Sequence, residues 1–108
     1  MRRIWVDPNR KNAEPVRFTQ HIETEVPYKV DFAASATDRG TSVSSVAWTS
    51  VGGRELTFTN ETLTTGVAQA EIASTYSGYG LAKVVATFAD GNTETQYIRI
   101  DIEDPEYY

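Results

Sequence analysis

The chain has 108 residues, of which 40% are hydrophobic and 23% charged, and it contains no cysteine. This length corresponds to one domain, and the lack of cysteine excludes disulfide bonds and thiolate metal sites. The formal net charge of −5 argues against nucleic acid as a direct partner, because phosphate binding needs a basic surface.

Residues 1–14 are predicted to form an N-terminal arm, since they are too polar to pack as a full strand. The apolar run Ile4–Val6 is too short for the core of a signal peptide. No stretch of 18 apolar residues predicts a membrane-spanning helix. We therefore expect a cytoplasmic origin and no membrane contact.

Apolar and polar residues alternate with period two along most of the remaining chain, which predicts β-strands with one buried face. The 14 threonines favour a pleated sheet over a helix. Turn residues interrupt the pattern at 38–40, 52–53 and 90–91, and the last of these, Asp-Gly, is a strong hairpin signal. The predicted strands are residues 16–26, 28–36, 43–51, 54–59, 67–74, 81–89 and 93–102.

Seven short strands of this kind predict an all-β fold, an immunoglobulin-like antiparallel β-sandwich over residues 15–104, with a tail at 105–108. A barrel is the alternative. The loops at 38–41, 51–54 and 77–80 are candidate binding regions. The side chains predicted to form the core are Phe32, Val46, Trp48, Phe58, Ile72, Val84, Phe88, Ile98 and Ile100.

The residue types needed for catalysis are scarce. His21 is the single histidine and falls on the polar face of its predicted strand, so no nucleophile has an oriented base. We therefore expect neither an enzyme nor a cofactor. Oxygen ligands for calcium occur at 90, 92 and 94 and in the C-terminal segment 101–106, but a hairpin turn and a solvated tail explain them better. Exposed tyrosines leave glycan binding open; the candidates are Tyr76, Tyr79, Tyr97, Tyr107 and Tyr108.

The segment Thr41–Asp104 carries a Ser-Ser-x-x-Trp motif after a glycine, and later an Asp-Gly hairpin followed by alternating isoleucines. In this segment the chain resembles the immunoglobulin-like structural proteins of tailed bacteriophages, of the fibre–tail adaptor type. The residues that carry the resemblance are Gly40, Ser44, Ser45, Trp48, Asp90, Gly91, Ile98, Ile100 and Ile102.

The resemblance implies a non-enzymatic virion component of the tail, neck or fibre adaptor, made in the host cytoplasm. Its partners would be other virion proteins in a ring or tube, with homo-oligomeric contacts in the assembly. A sugar-binding or adhesion domain and a head decoration protein are the alternatives. Interfaces favour tryptophan, tyrosine and arginine, so both ends of the chain supply interface candidates. These are Arg2, Arg3, Ile4, Trp5, Tyr107 and Tyr108.

Overall fold

The computed structural model describes residues 2–6 and 15–104, which form eight strands and one short helix. Sheet A has the strand order β1-β3-β6-β5, and sheet B has the order β2-β8-β7-β4. The bounds are β1 Arg2–Trp5, β2 Val16–His21, β3 Val26–Asp31, α1 Ala33–Asp38, β4 Val43–Gly53, β5 Thr57–Thr64, β6 Val67–Ala73, β7 Gly78–Phe88 and β8 Thr93–Glu103.

The predicted immunoglobulin-like β-sandwich is confirmed. The orders β3-β6-β5 and β8-β7-β4 follow the two sheets of a constant-type immunoglobulin domain. The hydrogen-bonded strands form two separate sheets, so the described chain is not a closed barrel. Alternate residues of the central strands are fully buried between the sheets, as the period-two pattern requires.

The side chains predicted to form the core divide into two groups. Phe32, Ile72, Val84, Phe88, Ile98 and Ile100 are buried between the sheets. Val46, Trp48 and Phe58 are half-buried and pack against this cluster. The half-buried group lies on β4 and β5, where the side of the sandwich is partly open.

The prediction of an arm over residues 1–14 is wrong for the described residues 2–6. β1 pairs with β3, and Ile4 and Val6 enter the core with 4% and 5% of their surface exposed. A four-residue strand is stabilised here by burial rather than by its local sequence. Residues 1, 7–14 and 105–108 lie outside the described residues.

The sheets are mixed rather than purely antiparallel. β1 runs parallel to β3, and β2 runs parallel to β8, whereas the other four strand pairs described are antiparallel as predicted. Parallel strands cannot be joined by a hairpin, so their pairing depends on contacts between distant segments. Alternation along a strand indicates which of its faces is buried, but not whether it runs parallel or antiparallel to its partner.

The predicted strand 16–26 ends early, because β2 in sheet B stops at His21 and the next strand, β3 in sheet A, begins only at Val26. β2 ends at His21, and Glu23 adopts a left-handed conformation with φ +56°. The N–H of Ile22 donates to the carbonyl of Glu103 at 3.0 Å, and the N–H of Glu23 donates to that of Ser74 at 2.8 Å. These bonds satisfy the backbone while the chain passes from sheet B to sheet A.

The predicted strand 28–36 ends early, because residues 33–38 form α1. The carboxylate of Asp31 accepts the N–H of Ala33 at 2.9 Å, and the N–H of Ala36 donates to the carbonyl of Phe32. Alanine is the best helix former, so the segment Ala-Ala-Ser-Ala favours a helical turn once Asp31 has bonded its first N–H group.

Two of the three predicted binding loops are shorter than expected. Residues 51–53 belong to β4 and residues 78–80 to β7, because Gly53 pairs with Gly80 across these strands. The loop at this end of β4 is therefore residues 54–56, and the β6–β7 loop is residues 74–77. The region 38–41 falls between α1 and β4.

A buried hydrogen-bond network joins the two sheets. The Tyr28 hydroxyl donates to Gln20 Oε1 at 2.6 Å and accepts from the Arg2 guanidinium at 2.8 Å. Gln20 Nε2 donates to the carbonyl of Ile72 at 2.9 Å. Burial raises the pKa of Tyr28, although Arg2 opposes this shift, so the phenol stays neutral and remains a donor. The network connects β1, β3 and β6 of sheet A to β2 of sheet B.

Candidate protein-binding surface

The β4–β5 and β6–β7 loops lie side by side at one end of the sandwich. The backbone N–H of Arg54 donates to the carbonyl of Tyr79 at 2.6 Å. Its side chain donates from Nε to the carbonyl of Ser77 at 2.9 Å. Arg54 therefore fixes the position of one loop against the other.

Two tyrosines are exposed at this end, and each lies beside an arginine. Tyr76 is 66% exposed, and the Arg54 guanidinium lies 5.8 Å from its ring centroid. Tyr79 is 45% exposed, and the Arg99 guanidinium lies 4.5 Å from its ring centroid. Both distances allow a cation–π attraction that orients the rings. We call Arg54, Tyr76, Tyr79 and Arg99 the aromatic end.

Glycine is required where the backbone passes beside Tyr79 and Arg54. Gly53 has φ +66°, and a Cβ atom there would lie 2.2 Å from the carbonyl oxygen of Tyr79 and 2.8 Å from its ring. Gly78 has φ +134°, and a Cβ atom would lie 3.2 Å from the Arg54 side chain. The two glycines leave an open depression of about 290 Å³ between Arg54 and Tyr79.

A carboxylate between two arginines extends the aromatic end along the outer face of sheet B. Asp101 accepts a hydrogen bond from Arg17 Nε at 2.5 Å and lies 3.3 Å from Arg99 Nε. The hydrogen bond from Arg17 is the main cause that lowers the pKa of Asp101, and Arg99 adds to the effect. Arg99 is therefore held between a carboxylate on its own strand and the ring of Tyr79.

The interface candidates at the N-terminus have different surroundings. Ile4 is buried in the core, so its prediction as an exposed contact is wrong. Arg2 donates to Tyr28 and to the carbonyl of Thr19, which makes it part of the link between the sheets. Arg3 forms an ion pair with Asp31 at 2.6 Å and lies 5.0 Å from the ring centroid of Trp5.

Trp5 is 66% exposed on β1 and is the N-terminal candidate that remains open to a partner. Its residue position pairs with Asp31, at the end of β3 away from the aromatic end. The structure therefore does not bring Trp5 together with Tyr76 and Tyr79. Tyr107 and Tyr108 lie outside the described residues.

The other candidate groups are dispersed. His21 is exposed at the end of β2, and Asp90 accepts the N–H of Asn92 at 3.0 Å within the β7–β8 turn. Within residues 2–6 and 15–104, no three His, Cys, Asp or Glu side chains cluster as a metal site would require. Among the same residues, no helix is long and apolar enough to cross a membrane.

The sequence indicates Tyr76 and Tyr79 as exposed tyrosines, but it does not indicate that Arg54 and Arg99 lie beside them. Arg54 follows Gly-Gly, and Arg99 alternates with Tyr97 and Asp101 on an outward face. These are the local signals that could have found them. Their contacts with the tyrosines depend on the pairing of β4 and β8 with β7.

No protein-family model matches the chain, and the comparison with curated proteins found no match. Solved structures share its fold. The PKD domain from the KIAA 1837 protein has a TM-score of 0.56 and 12% identity, over 86% of this chain and 84% of that one. The cysteine protease inhibitor EhICP2 from Entamoeba histolytica has a TM-score of 0.58 and 6% identity, over 94% of each chain. At these identities the similarity establishes the immunoglobulin-like fold alone.

Proposed function

We propose that the chain is a non-enzymatic protein-binding domain, and that it is a structural component of a tailed-phage virion. The observation that carries the proposal is the aromatic end, where two exposed tyrosines are each held by an arginine. Tyrosine and arginine are enriched among the residues that dominate the binding energy of protein interfaces.

The geometry of the aromatic end favours a protein partner. Tyr79 lies at the start of the paired strand β7, and Tyr76 lies beside Arg54 in the short loop before it, so little conformational entropy is lost when a partner orders the rings. The depression between Arg54 and Tyr79 is open, and therefore suits a protruding side chain of another protein better than an enclosed small molecule.

The resemblance of residues Thr41–Asp104 to phage adaptor proteins supports the virion assignment. A tail, neck or fibre adaptor functions through contacts with other virion proteins and between its own copies. Such a protein would be made in the host cytoplasm and incorporated into the particle, without direct contact with nucleic acid or membrane. Head decoration would use the same kind of contacts.

The test is incorporation into particles assembled from the genome that encodes the chain. The double variant Tyr76→Ser, Tyr79→Ser removes both rings without touching the buried core. We expect its copy number per particle to fall at least about tenfold, as the loss of two central interface aromatics predicts. Quantitative mass spectrometry of purified particles measures the change.

The matched control is Trp5→Ser, because Trp5 is as exposed as Tyr76 and also lies beside an arginine. We expect this variant to be incorporated normally. Normal incorporation of the double tyrosine variant would reject the aromatic end as the contact. Absence of the wild-type chain from every assembled particle would reject the virion role.

A sugar-binding or adhesion function is the second candidate, and the exposed ring of Tyr76 is the observation that favours it. Tyrosine rings stack on the apolar faces of sugars, and Arg54 lies near enough to bond an adjacent hydroxyl or carboxylate. Binding of the purified domain to a glycan array, abolished by Tyr76→Ser, would favour this function over the structural one.

A further inference from the structure

Among the described residues the two sheets have four free edges, and three of these carry features that hinder pairing with another strand. β1 has only four residues and bears Arg2 and Arg3. β2 is preceded by Pro15 and bears the exposed Arg17. β5 is interrupted by a register shift between Thr59 and Thr62. Charges, prolines, short strands and bulges are the usual protections of sheet edges.

The fourth edge, β4, lacks most of these protections. It has eleven residues, Val43–Gly53, without a proline or a charged side chain. Register shifts occur only near its two ends, so Ser45–Ser50 stays in continuous register with β7. In the described part of the chain, β7 is the only strand paired with β4. Among the described residues, no strand pairs with the other side of this regular stretch, which is about 20 Å long.

A partly apolar groove runs beside this edge, between β4 and β5. Trp48 and Phe58 pack there with ring centroids 6.0 Å apart, and Leu63 is 36% exposed. The groove has a volume of about 270 Å³ and is lined by Ser44, Ser45, Val46, Trp48, Glu61, Thr62 and Leu63. An added strand would cover apolar surface as well as satisfying backbone groups.

We propose that β4 pairs antiparallel with β4 of a second copy, which joins two sheets B into one continuous eight-stranded sheet. Charge favours this occupant. β4 has no charged side chain, so pairing it antiparallel with a second β4 places no like charges opposite one another. Pairing β1 or β2 with itself would bring arginines together.

We place the two-fold axis of the contact at Ala47, the middle of the three small, exposed positions Ser45, Ala47 and Thr49. With Ala47 on the axis, Ser45 of one copy lies opposite Thr49 of the other. Ser45, Ala47 and Thr49 are exposed and small, so none of them obstructs a neighbouring strand. This inference deepens the proposed function, because it assigns the contact between copies to a surface separate from the aromatic end.

The full chain is tested by sedimentation velocity from about 10 μM to about 1 mM, a range that detects weak dimers. We expect reversible dimers for the wild type. The variant Ser45→Lys, Thr49→Lys places lysine opposite lysine, and we expect dimerisation to weaken at least about tenfold. The control, Thr19→Lys with Thr93→Lys, adds the same charge at exposed positions outside β4 and should dimerise normally.

A pair of variants with opposite charges on β4 tests whether the lysine substitutions act at the contact itself or through a general effect on the protein. The variant Ser45→Glu, Thr49→Glu should be monomeric alone and should form heterodimers when mixed with the lysine variant. Circular dichroism checks that each variant is folded. A monomeric wild type at about 1 mM would overturn the proposal, as would lysine variants that dimerise normally or fail to pair with the glutamate variant. The variant Tyr76→Ser, Tyr79→Ser should still dimerise, because its substitutions lie outside β4. A failure of the aromatic end as a binding surface can therefore be told apart from a failure of the β4 contact.

Discussion

Gly53 and Gly40 have the same left-handed backbone conformation, φ +66°, but different surroundings. A Cβ atom at Gly53 would collide with Tyr79, whereas no atom lies within 4 Å of a Cβ atom at Gly40. The two positions therefore separate the cost of the backbone conformation from the cost of the contact with Tyr79.

We expect Gly40→Ala to lower the free energy of unfolding by about 1–2 kcal/mol, the cost of a left-handed residue with a side chain. Gly53→Ala should cost roughly 1–3 kcal/mol more, because Tyr79 or the strand must move. Urea denaturation measures both values. Equal losses would mean that the position of Tyr79 does not depend on Gly53.

Asp101 makes the stability of the folded protein depend on pH in the acid range. Because its pKa is lowered in the folded protein, chiefly by the hydrogen bond from Arg17, protonation favours the unfolded chain. Its contribution to stability is present above about pH 4, the ordinary range of an aspartate, and is lost as the pH falls through the folded-state pKa.

We therefore expect Asp101→Asn to be less stable than the wild type at pH 7, with the difference shrinking as the pH falls from about 5 towards 2. The difference should be small and sensitive to salt, because the Arg17 side chain is 67% exposed. Thermal denaturation at several pH values checks this. Asp38→Asn, at an exposed residue of α1, is the control, and a gap that stays constant with pH would contradict the expectation.

At the scale of elements, β1 shows how a strand can be hidden in a sequence. Its four residues join sheet A only because β3 supplies a parallel partner and the core accepts Ile4. The neighbouring Trp5 points away from the core and stays exposed. One strand thus carries a buried and an exposed apolar residue side by side.

We expect Ile4→Ala to lower the free energy of unfolding by about 2 kcal/mol or more, because it removes buried methyl groups from the core. Trp5→Ala should change it by less than about 1 kcal/mol, since an exposed side chain loses little packing. Urea denaturation of the two variants tests whether β1 belongs to the cooperative fold. Equal, small effects would mean that β1 detaches without loss of the sandwich.

The elements that were predictable from sequence are those whose pattern is local. β6, β7 and β8 alternate strictly, and their buried faces follow from that alternation. The break after His21 was not predictable, because the alternation continues through Ile22 and Thr24 to Val26 while the chain changes sheets. The helix at Ala33 was missed because alanine fits a strand pattern as readily as a helical turn.

The aromatic end was predictable only in part, for the same reason. Exposed tyrosines at Tyr76 and Tyr79 follow from their place beside a glycine-rich turn. Which arginine lies beside each ring depends on which strands pair with β7, and the local sequence does not indicate that pairing. A single sequence therefore indicated the aromatic residues of this surface but not its arrangement.

At the scale of the whole molecule, the link through Tyr28 and Gln20 joins the sheets on one side, and β4 and β5 leave the other side partly open. Trp48 and Phe58 lie at the open side, which explains why these two predicted core residues are only half-buried. We therefore expect contacts with neighbouring molecules to form more readily at the open side, beside β4 and β5, than at the closed side.

The parallel pairing of β2 with β8 has a consequence for the order of folding. Val16 pairs with Ile98 and His21 pairs with Glu103. β2 therefore cannot form its pairing until β8, the last strand described, has been synthesised. Such distant pairing carries a large loop-closure entropy and slows folding. During translation, β3 to β7 can therefore assemble first, while one edge of β7 stays unpaired until β8 is made, and β2 can pair only after β8 is in place.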